Sequence, residues 1–154
     1  MAGYFFDSSA LVKRYVAEVG TGWVKRILHP ATRNAVDIAR ITAVEVVSAL
    51  ARRARGGSIS PTAAAAALRR FRRELTTRFS FVPMSPRLLG EAMIIARTHA
   101  LRGYDAVQLA AALRVNFRRR ARGISGVTLV SSDHALLAAA QAEGLLVEDP
   151  NAHP

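Results

Sequence analysis

Cysteine is absent from this 154-residue chain, which excludes disulfides, thiolate metal sites and a cysteine nucleophile. That absence suits a reducing compartment. No apolar run approaches the roughly 20 residues that a membrane-spanning helix needs. The N-terminus shows no signal-peptide pattern, since Met1 leads straight into a short apolar strand. A cytoplasmic protein with no membrane partner is therefore expected. Acids are scarce as well, eleven Asp and Glu against twenty-two Lys and Arg, for a formal net charge of +11. Lysine is confined to Lys13 and Lys25, so nearly all of the positive charge is arginine. A guanidinium fork suits phosphate oxygens, and a strongly basic domain is the footprint of a polyanionic partner. GC-rich coding enriches arginine too, so charge alone leaves the partner open.

What is present suffices for a core. Hydrophobic residues make up 51% of the chain, enough at this length for one domain, here residues 1–150, with 151–154 a frayed tail. Gly3-Tyr4-Phe5-Phe6 reads as a strand ending at Asp7, and Ser8-Ser9 can cap a helix over Ala10–Val16. A helix over Trp23–Leu28 is stopped by Pro30. A second strand covers Asn34–Ile38, and Thr42 can cap a helix from Ala43 to Arg55, ended by Gly56-Gly57. Ser60-Pro61 and Ser85-Pro86 each give a cap followed by proline in the first helical turn. Between their helices, Phe79–Pro83 alternates like a strand. A further helix opens near Asp105 and runs to Arg118–Arg120, Arg122 and Gly123. The strand Gly126–Val130, the helix Ala135–Ala142 and the strand Leu145–Val147 complete the pattern. Strands alternating with helices predict a three-layer α/β/α fold around a mostly parallel sheet.

With so few acids, their positions carry information. Asp7 follows the first strand and Asp133 the Val127–Val130 strand. Glu45 and Asp105 lie in the first turns of their helices. In open α/β sheets, ligands bind at the carboxyl ends of strands, where helix N-termini also point. All four acids can share one crevice. Each has a plain alternative: Asp7 and Asp133 as helix caps, Glu45 as a wet surface residue, Asp105 as an anion at a helix N-terminus. If they converge, the carboxylates raise one another's pKa values unless a cation neutralises them. All-oxygen donors select Mg²⁺ or Mn²⁺. Such ions activate water and offset charge on a phosphodiester.

The segments Tyr4-Phe5-Phe6-Asp7-Ser8-Ser9-Ala10-Leu11-Val12-Lys13, Thr42-Ala43-Val44-Glu45-Val46-Val47-Ser48-Ala49-Leu50, Leu101-Arg102-Gly103-Tyr104-Asp105-Ala106-Val107-Gln108-Leu109-Ala110 and Leu129-Val130-Ser131-Ser132-Asp133 together resemble the PIN-domain ribonucleases. Among these the likeness is greatest to VapC-type toxins of type II toxin–antitoxin systems, and it runs from Phe5 to Val147. The resemblance implies that Asp7 and Asp105 are the main Mg²⁺ ligands, completed by Glu45 and Asp133. It implies that Ser131 hydrogen-bonds a ligand carboxylate or a water. It further implies cleavage of RNA by metal-activated water, a homodimer, and silencing by a cognate antitoxin whose basic side chains enter the acidic pocket. Where the family often carries His after the third acid, Gln108 stands here.

Other chemistries fit less well. An aspartyl phosphatase would want an acid at Ser9, a receiver domain a lysine after a late strand, and no Gly-rich phosphate loop occurs. His29, His99, His134 and His153 lack metal-ligand spacing. Two rivals stay open: a basic RNA- or DNA-binding module with an inert acidic pocket, and a PIN-type nuclease of RNA processing outside a toxin–antitoxin pair. The arginine clusters at 52–55, 69–73 and 118–122 are either wet helix faces or phosphate contacts beside the pocket.

Overall fold

The computed structural model describes all residues, 1–154. Its twelve principal elements alternate much as the pattern predicts. They are β1 (Gly3–Phe6), α1 (Ser8–Leu11), α2 (Thr21–Ile27), β2 (Ala35–Ala39), α3 (Thr42–Arg55), α4 (Pro61–Thr77), β3 (Ser80–Val82), α5 (Pro86–His99), α6 (Gly103–Ala121), β4 (Val127–Val130), α7 (His134–Ala142) and β5 (Leu146–Glu148). All pairings are parallel, in the order β3-β2-β1-β4-β5. The direction of winding reverses between β1 and β4, which opens a crevice at their carboxyl ends.

Alternation along each strand builds the layers. Phe5, Ala39 and Leu129 enter a core shared with α5, α6 and α7. Their neighbours Phe6, Ile38 and Val130 enter the opposite core, shared with α1 to α4. Helix α6 is buried from Ala106 through Ala112, as befits a helix apolar all round. Only one polar side chain, Gln108, interrupts that run. No helix is long and apolar enough to cross a membrane.

Several local expectations shift. The cap of α1 is Asp7, which accepts from the Ala10 amide at 3.0 Å; Ser8 and Ser9 lie inside the helix, and Ser9 turns its hydroxyl back onto Asp7. The helix expected over Ala10–Val16 tightens to a 3₁₀ turn at Val12–Arg14. Thr42 does not cap α3. It is the first helical residue, and its buried hydroxyl meets Gln108. The expected fraying of 151–154 is corrected too, because Pro150–Ala152 form a 3₁₀ turn and His153 stacks on Trp23 with ring centres 4.7 Å apart. Asn151 accepts from the buried Lys13 ammonium at 3.0 Å. Gly20, at φ 84°, sits where a side chain would collide with the Pro150 carbonyl, so the tail packs against a position only glycine suits.

Candidate active site

Asp7 and Ser131 continue the two central strands past the point where the winding reverses. The Asp7 amide still donates to the Val130 carbonyl at 3.1 Å. Beyond it the side chains take over, with Ser131 Oγ donating to Asp7 Oδ2 at 2.8 Å and Ser9 Oγ to Oδ1 at 2.8 Å. Ser131 Oγ in turn accepts from the Asp133 amide at 3.0 Å, and Ser9 Oγ from the Ser132 amide at 2.9 Å. Two hydroxyls thus stitch the turn after β4 to the turn after β1. Asp7 is 4% exposed and has no cationic partner. Burial pushes its pKa up to about 6, helped by the nearby Glu45 charge and opposed by Ser9, the Ala10 amide and Ser131.

The other three acids line up beside it. Glu45, on the first turn of α3, accepts from Gln108 Nε2 at 2.8 Å. Gln108 lies one turn beyond Asp105 on α6, so a single helix carries an acid and the amide that orients the next. Burial raises Glu45's pKa, against hydrogen bonds from Gln108 and Ser8, and the Asp105 charge adds to the rise. Burial raises Asp105 as well, reinforced by Asp133 and opposed by Arg102. Electrostatic coupling therefore runs from Asp7 to Glu45 to Asp105 to Asp133, and the four expected acids share one crevice. As the side chains stand, no three of them approach closely enough to hold one ion together.

Asp133 caps α7 through Oδ1, which accepts from the Leu136 amide at 2.9 Å. Its Oδ2 is free of that duty and meets Arg102 Nη2 at 2.9 Å. For both Asp7 and Asp133, then, the cap and the site are the same residue, the backbone taking only part of each carboxylate.

With this geometry in hand, the chain matches the PIN domain family over residues 4–142. The chain belongs to the PIN domain family. Solved structures agree with the fold along nearly the whole chain. PAE2754 from Pyrobaculum aerophilum is 25% identical, with 98% of this chain and 92% of that one covered at a TM-score of 0.62. The Mycobacterium tuberculosis toxin VapC20, described as cleaving the sarcin–ricin loop, is 20% identical over 98% and 99% of the two chains, TM-score 0.63. A toxin–antitoxin complex from Klebsiella pneumoniae is 18% identical over 96% and 97%, TM-score 0.61. No curated protein matches the sequence.

In this PIN domain the crevice opens into a cleft of about 570 Å³, walled by Ser8, Glu45, Ser48, Arg52, Arg53 and Tyr104 among others. Of the three arginine clusters, the one at 52–55 reaches the cleft. The one at 118–122 does not, so of its two alternatives the contact beside the pocket is ruled out. Asp105 opens α6 and Arg119 lies fourteen residues on, about 21 Å away at 1.5 Å per residue. There Arg119 packs over Gly3, at the opposite end of β1 from Asp7, and donates to the Ser125 carbonyl at 2.8 Å. In the 69–73 cluster, Arg70 Nε donates to Glu74 within α4 at 3.2 Å.

Sequence reasoning missed four contributors. Ser9 is passed over as a cap, and Thr42 likewise. Gln108 gave a signal, being the lone polar side chain in a buried helical run, but which acid it serves depends on α3 folding against α6. Arg102 had none beyond lying three residues before Asp105.

Proposed function

We propose that this PIN domain is a divalent-metal-dependent endoribonuclease of the toxin–antitoxin kind, cleaving RNA phosphodiesters by hydrolysis. The observation that carries the reading is Asp7, a fully desolvated carboxylate held in position by two hydroxyls and a backbone amide yet given no cation. A buried charge without a counter-charge is costly, and the donors around the crevice are all oxygens, as Mg²⁺ or Mn²⁺ prefer. Ser132 Oγ adds a buried hydroxyl with no partner at the cleft wall, a group that a bound phosphate or water would satisfy. The donor types fit the ion, and binding it would draw the four carboxylates closer than they stand. Asp7 and Asp105 would hold it, with Glu45 and Asp133 completing the set. Such an ion, when bound, lowers the pKa of water and offsets charge on the phosphate.

The chain's own side chains supply the rest. Ser9 and Ser131 fix the direction of Asp7, and Gln108 fixes Glu45. Arg52 stands where a phosphate backbone entering the cleft would be neutralised, positioning the strand without reading its sequence, while Arg53 beside it is paired with Glu18. Two of the similar structures are toxins or toxin complexes, which supports an antitoxin as the silencing partner. A separate apolar groove of about 620 Å³ between α5 and α6 exposes Ile94 and Phe117. Exposed apolar side chains of this kind favour a protein contact, which supports a homodimer as the resting form.

The test is cleavage of a mixed RNA pool with and without Mg²⁺ by the wild type, Asp7→Asn and Asp105→Asn, with RNA binding measured in parallel. Cleavage that needs the metal and both acids supports the proposal. Binding without cleavage in every variant and at every Mg²⁺ concentration would instead establish a basic nucleic-acid-binding module.

A further inference from the structure

Arg102 is the only cation in contact with the four acids. It sits at the N-cap of α6, outside the helix, and 80% of its side chain is exposed. From there its guanidinium spans two elements: Nε donates to Asp105 Oδ2 at 3.2 Å, and Nη2 to Asp133 Oδ2 at 2.9 Å. The Leu136 amide bonds Asp133 Oδ1, so Arg102 takes the oxygen of that residue that the helix cap leaves free. A planar fork joining two carboxylates from different elements is the arrangement in which arginine excels. Asp7 and Glu45, by contrast, make no ion pair.

We infer that Arg102 is a resident counter-ion for the site, and that its grip on Asp105 and Asp133 excludes a divalent cation from those same oxygens. This rests on the reading of the crevice as a metal centre. An oxygen lone pair directed at a guanidinium proton is not available to a metal at coordination distance, and two positive groups on one pair of carboxylates repel. The exposed arm costs little to release, because solvent-exposed ion pairs are weak. A divalent ion bound by these carboxylates would therefore displace it, with the guanidinium still tethered at the start of α6. The protein exchanges an arginine-closed state for a metal-loaded one, and the affinity for metal is lower by the strength of the arginine contacts.

The test is direct titration of the metal-free protein with Mn²⁺, free ion being followed by electron paramagnetic resonance, for the wild type, Arg102→Gln, Arg102→Lys and Arg52→Gln. The Arg102→Gln variant should bind Mn²⁺ about five-fold more tightly, the sum of two exposed contacts. Arg102→Lys, which keeps the charge without the fork, should fall between it and the wild type. Arg52→Gln removes the same charge from the cleft wall and should change affinity less than about two-fold, because it acts through solvent. In the wild type, the Arg102 Nε–H resonance should move when diamagnetic Mg²⁺ is added. Equal Mn²⁺ affinities for the wild type and Arg102→Gln, or an Nε–H signal that stays put while Mg²⁺ saturates, would overturn the exclusion and leave the metal centre standing. If no variant binds Mn²⁺, the metal centre itself fails, and the exclusion falls with it.

Discussion

A half-buried and a buried carboxylate in this protein meet opposite fates. Glu74 on α4 lies against Arg14, which donates to it twice, at 2.8 and 2.9 Å, while Tyr15 Oη donates at 2.6 Å and Arg70 at 3.2 Å. Burial works to raise its pKa, but Arg14, Tyr15 and Arg70 hold it below the usual carboxylate range. Asp7 is more deeply buried and receives hydroxyls and an amide in place of a guanidinium, and its pKa rises. The first arrangement is closed, with every charge answered from within the chain. The second lacks a positive charge, and that deficit is what a ligand can supply. Desolvation acts on both; the difference lies in what the fold puts opposite them.

The comparison breaks most sharply at Glu74. Glu74→Gln leaves Arg14, 6% exposed, buried without its counter-charge, and should cost about 3 kcal/mol of stability at pH 7 in urea denaturation. Because Glu74's pKa is depressed, its contribution is present above the ordinary carboxylate pKa and fades as pH falls. The gap between wild type and variant should narrow under acid.

Asp7→Asn should do the reverse. The folded-state pKa of about 6 lies above the ordinary aspartate value of 3.8, so the ionised carboxylate weakens the fold. Asp7's own contribution is most favourable below pH 4 and is lost as pH rises through 6. The metal-free variant should be more stable than the wild type by about 2 kcal/mol at pH 7.5 and no more stable at pH 4, as measured by thermal melts. Asparagine still caps α1. Cleavage should fall by about a hundred-fold or more if Asp7 acts as proposed.

Smaller effects refine the contrast. Gln108→Leu deprives Glu45 and Thr42 of a buried donor and should cost about 1–2 kcal/mol, with a loss of cleavage in excess of the loss of folded protein. Arg52→Ala with Arg53→Ala should weaken RNA binding and reduce the slope of log affinity against log salt by about 0.7, the share of Arg52 alone, because Arg53 is paired with Glu18. Arg118–Arg120→Ala, at the far end of α6, should leave that slope nearly unchanged. An equal effect of the two sets would mean that the strand runs along the whole molecule.

Much of the fold was legible from periodicity and punctuation. The five strands, the proline-opened α4 and α5, and the glycine stops at Gly56 and Gly123 lie within a residue or two of expectation, because the forces that set them act over a single turn or strand. The reassigned caps show the limit of that reach. Ser8, Ser9 and Thr42 carry hydroxyls that suit a helix start, but Asp7 outcompetes the serines locally, and Gln108 claims Thr42 from sixty-six residues away. The tail's attachment depends on Trp23 and Lys13, which nothing near residue 150 announces.

The order of apolar and polar residues, with the scarcity of acids, determined an α/β chain whose few carboxylates follow strands or open helices. Only tertiary structure decided which groups answer those carboxylates. The distant partners of Asp7, Glu45 and Asp133 come from the turn after β4, from α6 and from the turn before it, brought near by the reversal of winding beside β1. Hydrogen bonds and ion pairs act over a few ångströms, so their choice of partner waits until the sheet and its helices have packed.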